Sequence, residues 1–219
     1  KTTVAKILKI ILKKFFKRKI YISSIDDFYK TLKTRNKMVH AIHPLFKTRG
    51  VPGTHDINLI KKFFYFIKKK KFTKTKLPKF DKSIDDRLKK KYWFNIKQKP
   101  EIVILEGWCV GAKPQSNFLI KKPVNILEKD EEQDLIWRKY INEKLKKEYK
   151  KLFTMIDYFI FMKIPNFDQA PLHPPDDLPS AISWLMSPDE CFRLADESGR
   201  ALLLAKKGFY FFRKTHQTT

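Results

Sequence analysis

Cysteine is almost absent from this 219-residue chain, arginine is scarce beside lysine, and no long apolar run occurs. Two cysteines, Cys109 and Cys191, cannot build a disulfide scaffold, so a reduced, cytoplasmic protein is expected. No apolar stretch approaches the roughly 18 residues that a bilayer-spanning helix requires, so no membrane partner is expected. What is present argues for folding: 42% of residues are hydrophobic and 14% aromatic, too many for a disordered chain. The length suits one large domain or two small ones.

The other conspicuous feature is a formal net charge of +25. Its direct implication is a polyanionic partner. The charge is carried by 40 lysines and only eight arginines, whereas nucleic-acid readers favour arginine for bidentate contacts. It is also confined. Residues 1–169 hold 42 basic and 17 acidic side chains, while residues 170–219 hold six of each. Lys, Ile, Phe and Asn are enriched together in the first segment, a bias that A/T-rich codons produce without any ligand. No specific nucleic-acid partner is therefore expected, and position 170 is a compositional boundary.

Apolar spacing predicts an amphipathic helix over residues 2–18, through Val4, Ile7, Leu8, Ile11, Leu12 and Phe15. A short strand follows at residues 19–24 and ends before Asp26-Asp27. Residues 43–56 read as a loop with two Gly and two Pro, residues 58–66 as a helix, and residues 73–100 as irregular. The segment EIVIL (101–105) reads as a buried parallel strand. Residues 128–153 read as one charged helix, and YFIFMKI (158–164) as another buried strand. Strands alternating with helices indicate an α/β fold with a mainly parallel sheet. Ligands of such folds sit beyond the carboxyl ends of the strands, where Asp26-Asp27 and Glu106 lie.

The segment Lys1-Thr2-Thr3 runs straight into a helix, as the end of a phosphate-binding loop G-x-x-x-x-G-K-[ST] does. On that reading Lys1 contacts the β- and γ-phosphates of ATP and the Thr2 hydroxyl coordinates Mg²⁺. Glu106 then supports the metal, and Asp26 accepts the proton of the attacking hydroxyl. The glycines and the preceding strand would lie upstream, which leaves a domain without its first strand and with weak or no activity as it stands. Plainer roles stay open: Asp26-Asp27 as a helix N-cap, Glu106-Gly107 as a turn, Arg49 as a helix cap, His55 as a satisfied loop histidine. Cys109 reads as a small packed residue, and Trp137-Arg138 as an ordinary packed and solvated pair.

Four motifs, ISSIDDFYKT (22–31), HPLFKTRGVPGTHDINLI (43–60), LPKFDKSIDDR (77–87) and VILEGWCVGAKPQ (103–115), resemble the D-glycerate 3-kinase family in order and spacing. That family sits in the P-loop group with uridine kinase, phosphoribulokinase and bacterial pantothenate kinase. The resemblance covers roughly residues 1–168 and implies a P-loop NTPase three-layer sandwich. It implies ATP- and Mg²⁺-dependent phosphoryl transfer to a small hydroxy acid, converting D-glycerate to 3-phosphoglycerate. Lys1, Thr2 and Thr3 then close the phosphate loop, Glu106 is the Walker B acid and Asp26 the base. Tyr29, Arg49, His55 and Asp56 shape the acceptor pocket. Lys82 and Arg87 approach the acceptor carboxylate or the transferring phosphate, which guanidinium binds in a bidentate manner.

After YFIFMKIPNF the resemblance stops, and residues 169–219 are expected to be a divergent or unrelated segment. SPDE (187–190) reads there as a helix start, and residues 201–212 as a short strand or helix. Other readings stay open: a nucleoside or pantothenate-like acceptor, an inactive kinase remnant, or a basic nucleic-acid-binding module. Oligomeric state is not legible.

Overall fold

The computed structural model describes residues 2–162 and 209–213, with only the backbone at Met162 and in the last segment. Helix α1 (Thr2–Phe16) buries Ile7 and Ile11, as the apolar spacing predicts, and also Ala5, whereas Phe15, expected on the same stripe, is 66% exposed. Strand β1 (Ile20–Ser24) leads into a 3₁₀ turn, Ile25–Phe28. Helix α2 (Leu32–Ala41) follows, capped by the Thr31 hydroxyl, and was not expected because its residues are mostly polar. Helix α3 (Ile57–Lys68) starts at Asp56, whose Oδ1 accepts from the Leu59 amide at 3.1 Å.

Residues 73–100, expected to be irregular, contain β2 (Thr75–Leu77), β3 (Phe80–Asp81), β4 (Asp86–Arg87) and β5 (Phe94–Ile96). The strands β2 and β5 pair antiparallel, as do β3 and β4. They are too short to show period-2 alternation in the sequence. Strand β6 (Ile102–Glu106) pairs parallel with β1, setting Ser24 opposite Glu106. Its side chains are only half-buried, less than its apolar run suggested.

The single charged helix expected over 128–153 is broken. Helix α4 (Asn117–Lys121) and helix α5 (Ile126–Asp130) precede α6 (Ile136–Lys144). The break coincides with Leu135, whose φ of 63° lies in the left-handed region. A π turn, Leu145–Tyr149, then joins α6 to α7 (Lys150–Phe153). Arg138 is not a solvated partner of Trp137. It is largely buried, pairs with the fully buried Glu132, and donates to the carbonyls of Ile120 and Glu132 at 2.9 and 3.0 Å. That clamp ties α4 and α6 to the segment between them.

Strand β7 (Tyr158–Met162) pairs antiparallel with β8 (Phe209–Arg213). The expectation of a buried strand there is corrected: Tyr158 is 48% and Phe161 60% exposed. The 187–190 segment lies outside the described residues, as does most of 201–212; only the backbone of 209–213 is seen, extended. The β1–β6 pair is parallel, as expected, while the three other pairs among the described residues are antiparallel. The full three-layer sandwich is not present among them.

Cα proximity divides the chain into Leu12–Met155 and a second unit, Lys1–Ile11 with Ile156–Thr219. The core of the Leu12–Met155 unit joins Ile25 and Phe28 to Ile57, Ile60 and Phe63 of α3, and to Leu145, Tyr149 and Leu152. Cys109 packs in the same core, as expected. A Cβ at Gly107 would collide with the Ile25 side chain, so glycine lets the turn after β6 close on the 3₁₀ turn after β1.

Candidate functional site

The carboxyl ends of β1 and β6 lie side by side and bring acidic residues together. Ser24 caps the 3₁₀ turn by accepting from the Asp26 amide at 3.3 Å, so the cap is Ser24 and not the aspartates. Asp26 and Asp27 therefore fall in the first turn and keep their carboxylates for other partners. The Tyr29 hydroxyl donates to Asp26 Oδ1 at 3.0 Å, and Lys82 Nζ lies 3.5 Å from Oδ2. Burial, then the Asp26 charge, pushes the Tyr29 hydroxyl well above its ordinary range, so it stays a donor.

Asp27 Oδ1 accepts from the Phe80 amide at 3.3 Å. Burial raises the Asp27 carboxyl, and the charges of Asp26 and Glu106 add to that rise. Three carboxylates thus crowd one end of the parallel pair. Among the described residues no group of three His, Cys, Asp or Glu side chains forms a metal cage. Mg²⁺ does not require one, since it keeps several waters and takes one or two carboxylates plus substrate phosphates. The crowded carboxylates fit such an ion, which would relieve their mutual repulsion. Thr2 and Thr3 open α1, whose first turn contains no acidic side chain to repel a phosphate. Lys1 lies outside the described residues.

His55 is brought to Tyr29 by an isolated antiparallel bridge. The Lys30 amide donates to the Thr54 carbonyl and the Asp56 amide to the Phe28 carbonyl, both at 2.8 Å. The Tyr29 and His55 rings stack with centroids 4.4 Å apart. His55 is 1% exposed, and its Nδ1 lies 2.6 Å from the Tyr149 hydroxyl. Its Nε2 has no partner among the described residues, so the satisfied loop histidine is only half right. Burial pushes its pKa down to about 4.

That shift predicts an acid transition. The unfolded chain takes up a proton near the ordinary value of about 6.5, the folded one near 4. The stability tied to neutral His55 is fully present above pH 6.5 and is lost as pH falls toward 4. The loss is about 3 kcal/mol, given about 1.4 kcal/mol for each unit. Chemical denaturation between pH 7 and 4 measures it, and the slope should flatten in His55→Gln. An unchanged slope would refute the buried neutral histidine.

Arg49 and Arg87 do not stand free as acceptor ligands. Arg49 Nη1 meets Asp85 Oδ1, and its guanidinium lies 5.5 Å from the Phe80 ring centroid. Arg87 Nη1 lies 3.2 Å from Asp56 Oδ2. Asp56 thus caps α3 with one oxygen and holds Arg87 with the other. Burial works to raise the Asp85 carboxyl, but hydrogen bonds and charge from Arg35 and Arg49 outweigh it and hold it below its usual range.

Several participants escaped sequence reasoning. Arg35 is fully buried and anchors the loops by donating to the Lys47 carbonyl and Asp85 Oδ2, both at 2.9 Å. Lys30 Nζ donates to the Gly53 carbonyl at 2.6 Å, and burial, then the Lys144 charge, lowers its pKa. Tyr149 receives the Gly53 amide at 2.9 Å. The only signal was that Asp85 sits inside SIDDR and Lys30 inside DDFYKT; Arg35 and Tyr149 stand outside every motif. Of the expected site residues, Asp26, Tyr29, His55 and Lys82 form one contiguous set, and Asp56 with Arg87 forms an adjoining pair. Glu106 stands at the end of β6, in register with Ser24.

No family model matches the chain. Among curated proteins it is 28% identical over 145 residues to a protein of Schizosaccharomyces pombe named uncharacterized kinase mug58, a match spanning 63% of this chain and 51% of that protein. It is 26% identical over 174 residues to the chloroplastic D-glycerate 3-kinase of Arabidopsis thaliana, spanning 76% of this chain and 36% of that protein. Among solved structures, D-glycerate 3-kinase from Cryptococcus neoformans superposes with a TM-score of 0.60 at 26% identity, covering 70% of this chain and 57% of that one. The chain spans about half the length, or less, of the curated relatives named here.

Proposed function

We propose that this chain, similar to kinases that include D-glycerate 3-kinases, acts in ATP-dependent phosphoryl transfer to the hydroxyl of a small hydroxy acid, D-glycerate first among them. The observation that carries this reading is the setting of Asp26. Its Oδ1 is held by Tyr29, and its Oδ2 faces Lys82 at the carboxyl end of the parallel pair.

In this reading Asp26 Oδ2 takes the proton of the attacking hydroxyl as the new O–P bond forms. Tyr29 keeps the carboxylate oriented while that proton moves. Lys82, on an exposed turn, supplies positive charge beside the reacting oxygen. Arg87 and Arg49 each spend one Nη on a carboxylate, Asp56 and Asp85, so only their other N–H donors would engage a carboxylate acceptor. Bound ATP would supply the phosphoryl group, with Mg²⁺ offsetting the charge on its oxygens. Asp27 and Glu106 would hold that ion.

The test is ADP release, by a chain that includes the whole phosphate loop ending at Lys1-Thr2, with ATP and Mg²⁺ against a panel of D-glycerate, uridine and pantothenate. D-glycerate is expected to give the highest kcat/KM. Release with uridine or pantothenate alone would reassign the acceptor, and no release with any would refute the kinase reading.

A further inference from the structure

Tyr149 stands 94 residues from His55 in sequence, yet their polar atoms are 2.6 Å apart in the interior. It is the last residue of the π turn, a rare backbone form that occurs often at functional sites. Its ring is fully buried, edge-on to Phe153 and to His55. Its hydroxyl oxygen already accepts the Gly53 N–H at 2.9 Å. Its own proton remains to be donated to His55 Nδ1. A neutral imidazole accepting at Nδ1 carries its own proton on Nε2.

We propose that Tyr149 is a positioning residue for Asp26: its hydroxyl fixes the tautomer and ring orientation of His55, against which Tyr29, the donor to Asp26, is stacked. The chain of contacts is continuous. Tyr149 binds His55 Nδ1, the His55 ring lies at 22° to Tyr29, and the Tyr29 hydroxyl reaches Asp26 Oδ1 at 3.0 Å. The backbone bridge between Tyr29 and His55 keeps the two rings in register. With Oδ1 engaged, Oδ2 is the oxygen left for the acceptor hydroxyl. Burial favours the neutral histidine on which this arrangement depends. Nothing among the described residues binds Nε2, so no second hydrogen bond from His55 itself fixes the ring, and Tyr149 performs that task.

The inference rests on the phosphoryl-transfer reading, and its test has two arms. Nitrogen-15 NMR of histidine-labelled protein reads the tautomer without any substrate: His55 should carry its proton on Nε2, and Tyr149→Phe should shift it toward a mixture. Steady-state kinetics with ATP and D-glycerate should show a kcat lower by roughly tenfold or more in Tyr149→Phe with KM for ATP unchanged, since small misplacement of a reacting group is costly. Leu152→Val, which shortens a buried side chain of the adjoining helix by one methylene, serves as the control for lost packing and should retain its kcat. A wild-type proton on Nδ1 overturns the proposal. So does full kcat in Tyr149→Phe, or an equal loss in Leu152→Val. Failure of the wild-type protein to release ADP with any acceptor refutes the underlying reading instead, and the NMR arm tells the two apart.

Discussion

Asp26→Asn should lower kcat by roughly 10²–10⁴-fold, the range expected for losing a general base. In barrier height that is about 3–5 kcal/mol. The substitution is nearly isosteric and leaves an amide oxygen to accept from Tyr29, so the fold should hardly notice it. Asp26 is partly exposed, and its ion pair with Lys82 is long and involves a two-thirds-exposed lysine, so losing that pair costs little stability. The checking measurement is single-turnover transfer beside a thermal melt. A rate within tenfold of wild type, with the melting temperature unchanged, would remove Asp26 from the chemistry and leave it as an ordinary turn residue. A similar loss in Lys82→Ala alone would point to charge at the reacting oxygen and not to proton removal.

Arg35 carries the second large effect, and it concerns stability. Its side chain is fully buried, with Nη1 on the Lys47 carbonyl and Nη2 on both the carbonyl and the carboxylate of Asp85. Removing one member of a buried ion pair generally costs about 3–5 kcal/mol, because the other charge is left without compensation. Asp85 is about one-third exposed and keeps Arg49, so the expected cost of Arg35→Met is lower, about 2–4 kcal/mol. At about 2–4 °C per kcal/mol for a chain of this size, the melting temperature should fall by some 4–16 °C. Arg35→Lys should recover only part of the loss, since one ammonium cannot serve two carbonyls and a carboxylate in the same plane. A shift below about 2 °C for Arg35→Met would show that the loops over Phe80 are held by packing and not by this guanidinium.

The two predictions separate two levels of the molecule. Asp26 lies at the end of a strand and inside a motif, and it was legible. Strand β1, the helices α1 and α3, and strand β6 were likewise legible, because their apolar spacing and caps are short-range signals carried by a few neighbouring residues. The motif DDFYK also set Tyr29 three residues from Asp26, close enough for a turn to join them.

Other features depended on distant partners. Strands of two or three residues, such as β3 and β4, have no period to read, and only their pairing reveals them. The exposure of β7 could not be read from its apolar run, and its antiparallel partner lies about fifty residues away. Lysine and arginine counts gave no sign that Arg35 would be fully buried and Arg138 largely so, because burial of a guanidinium requires carboxylates and carbonyls delivered by other segments. Arg49 and Arg87 looked like open cations until folding set Asp85 and Asp56 against them.

The residues alone therefore specified the local elements, the acidic ends of β1 and β6, and the family resemblance. Tertiary structure decided which charges are paired, which oxygen of Asp26 is engaged, and that Tyr149 meets His55. The reason is range: helical spacing and caps act over three or four residues, whereas the long-range contacts that orient the site close loops of 26 to 94 residues and exist only once the core around Phe28, Ile60 and Tyr149 has formed.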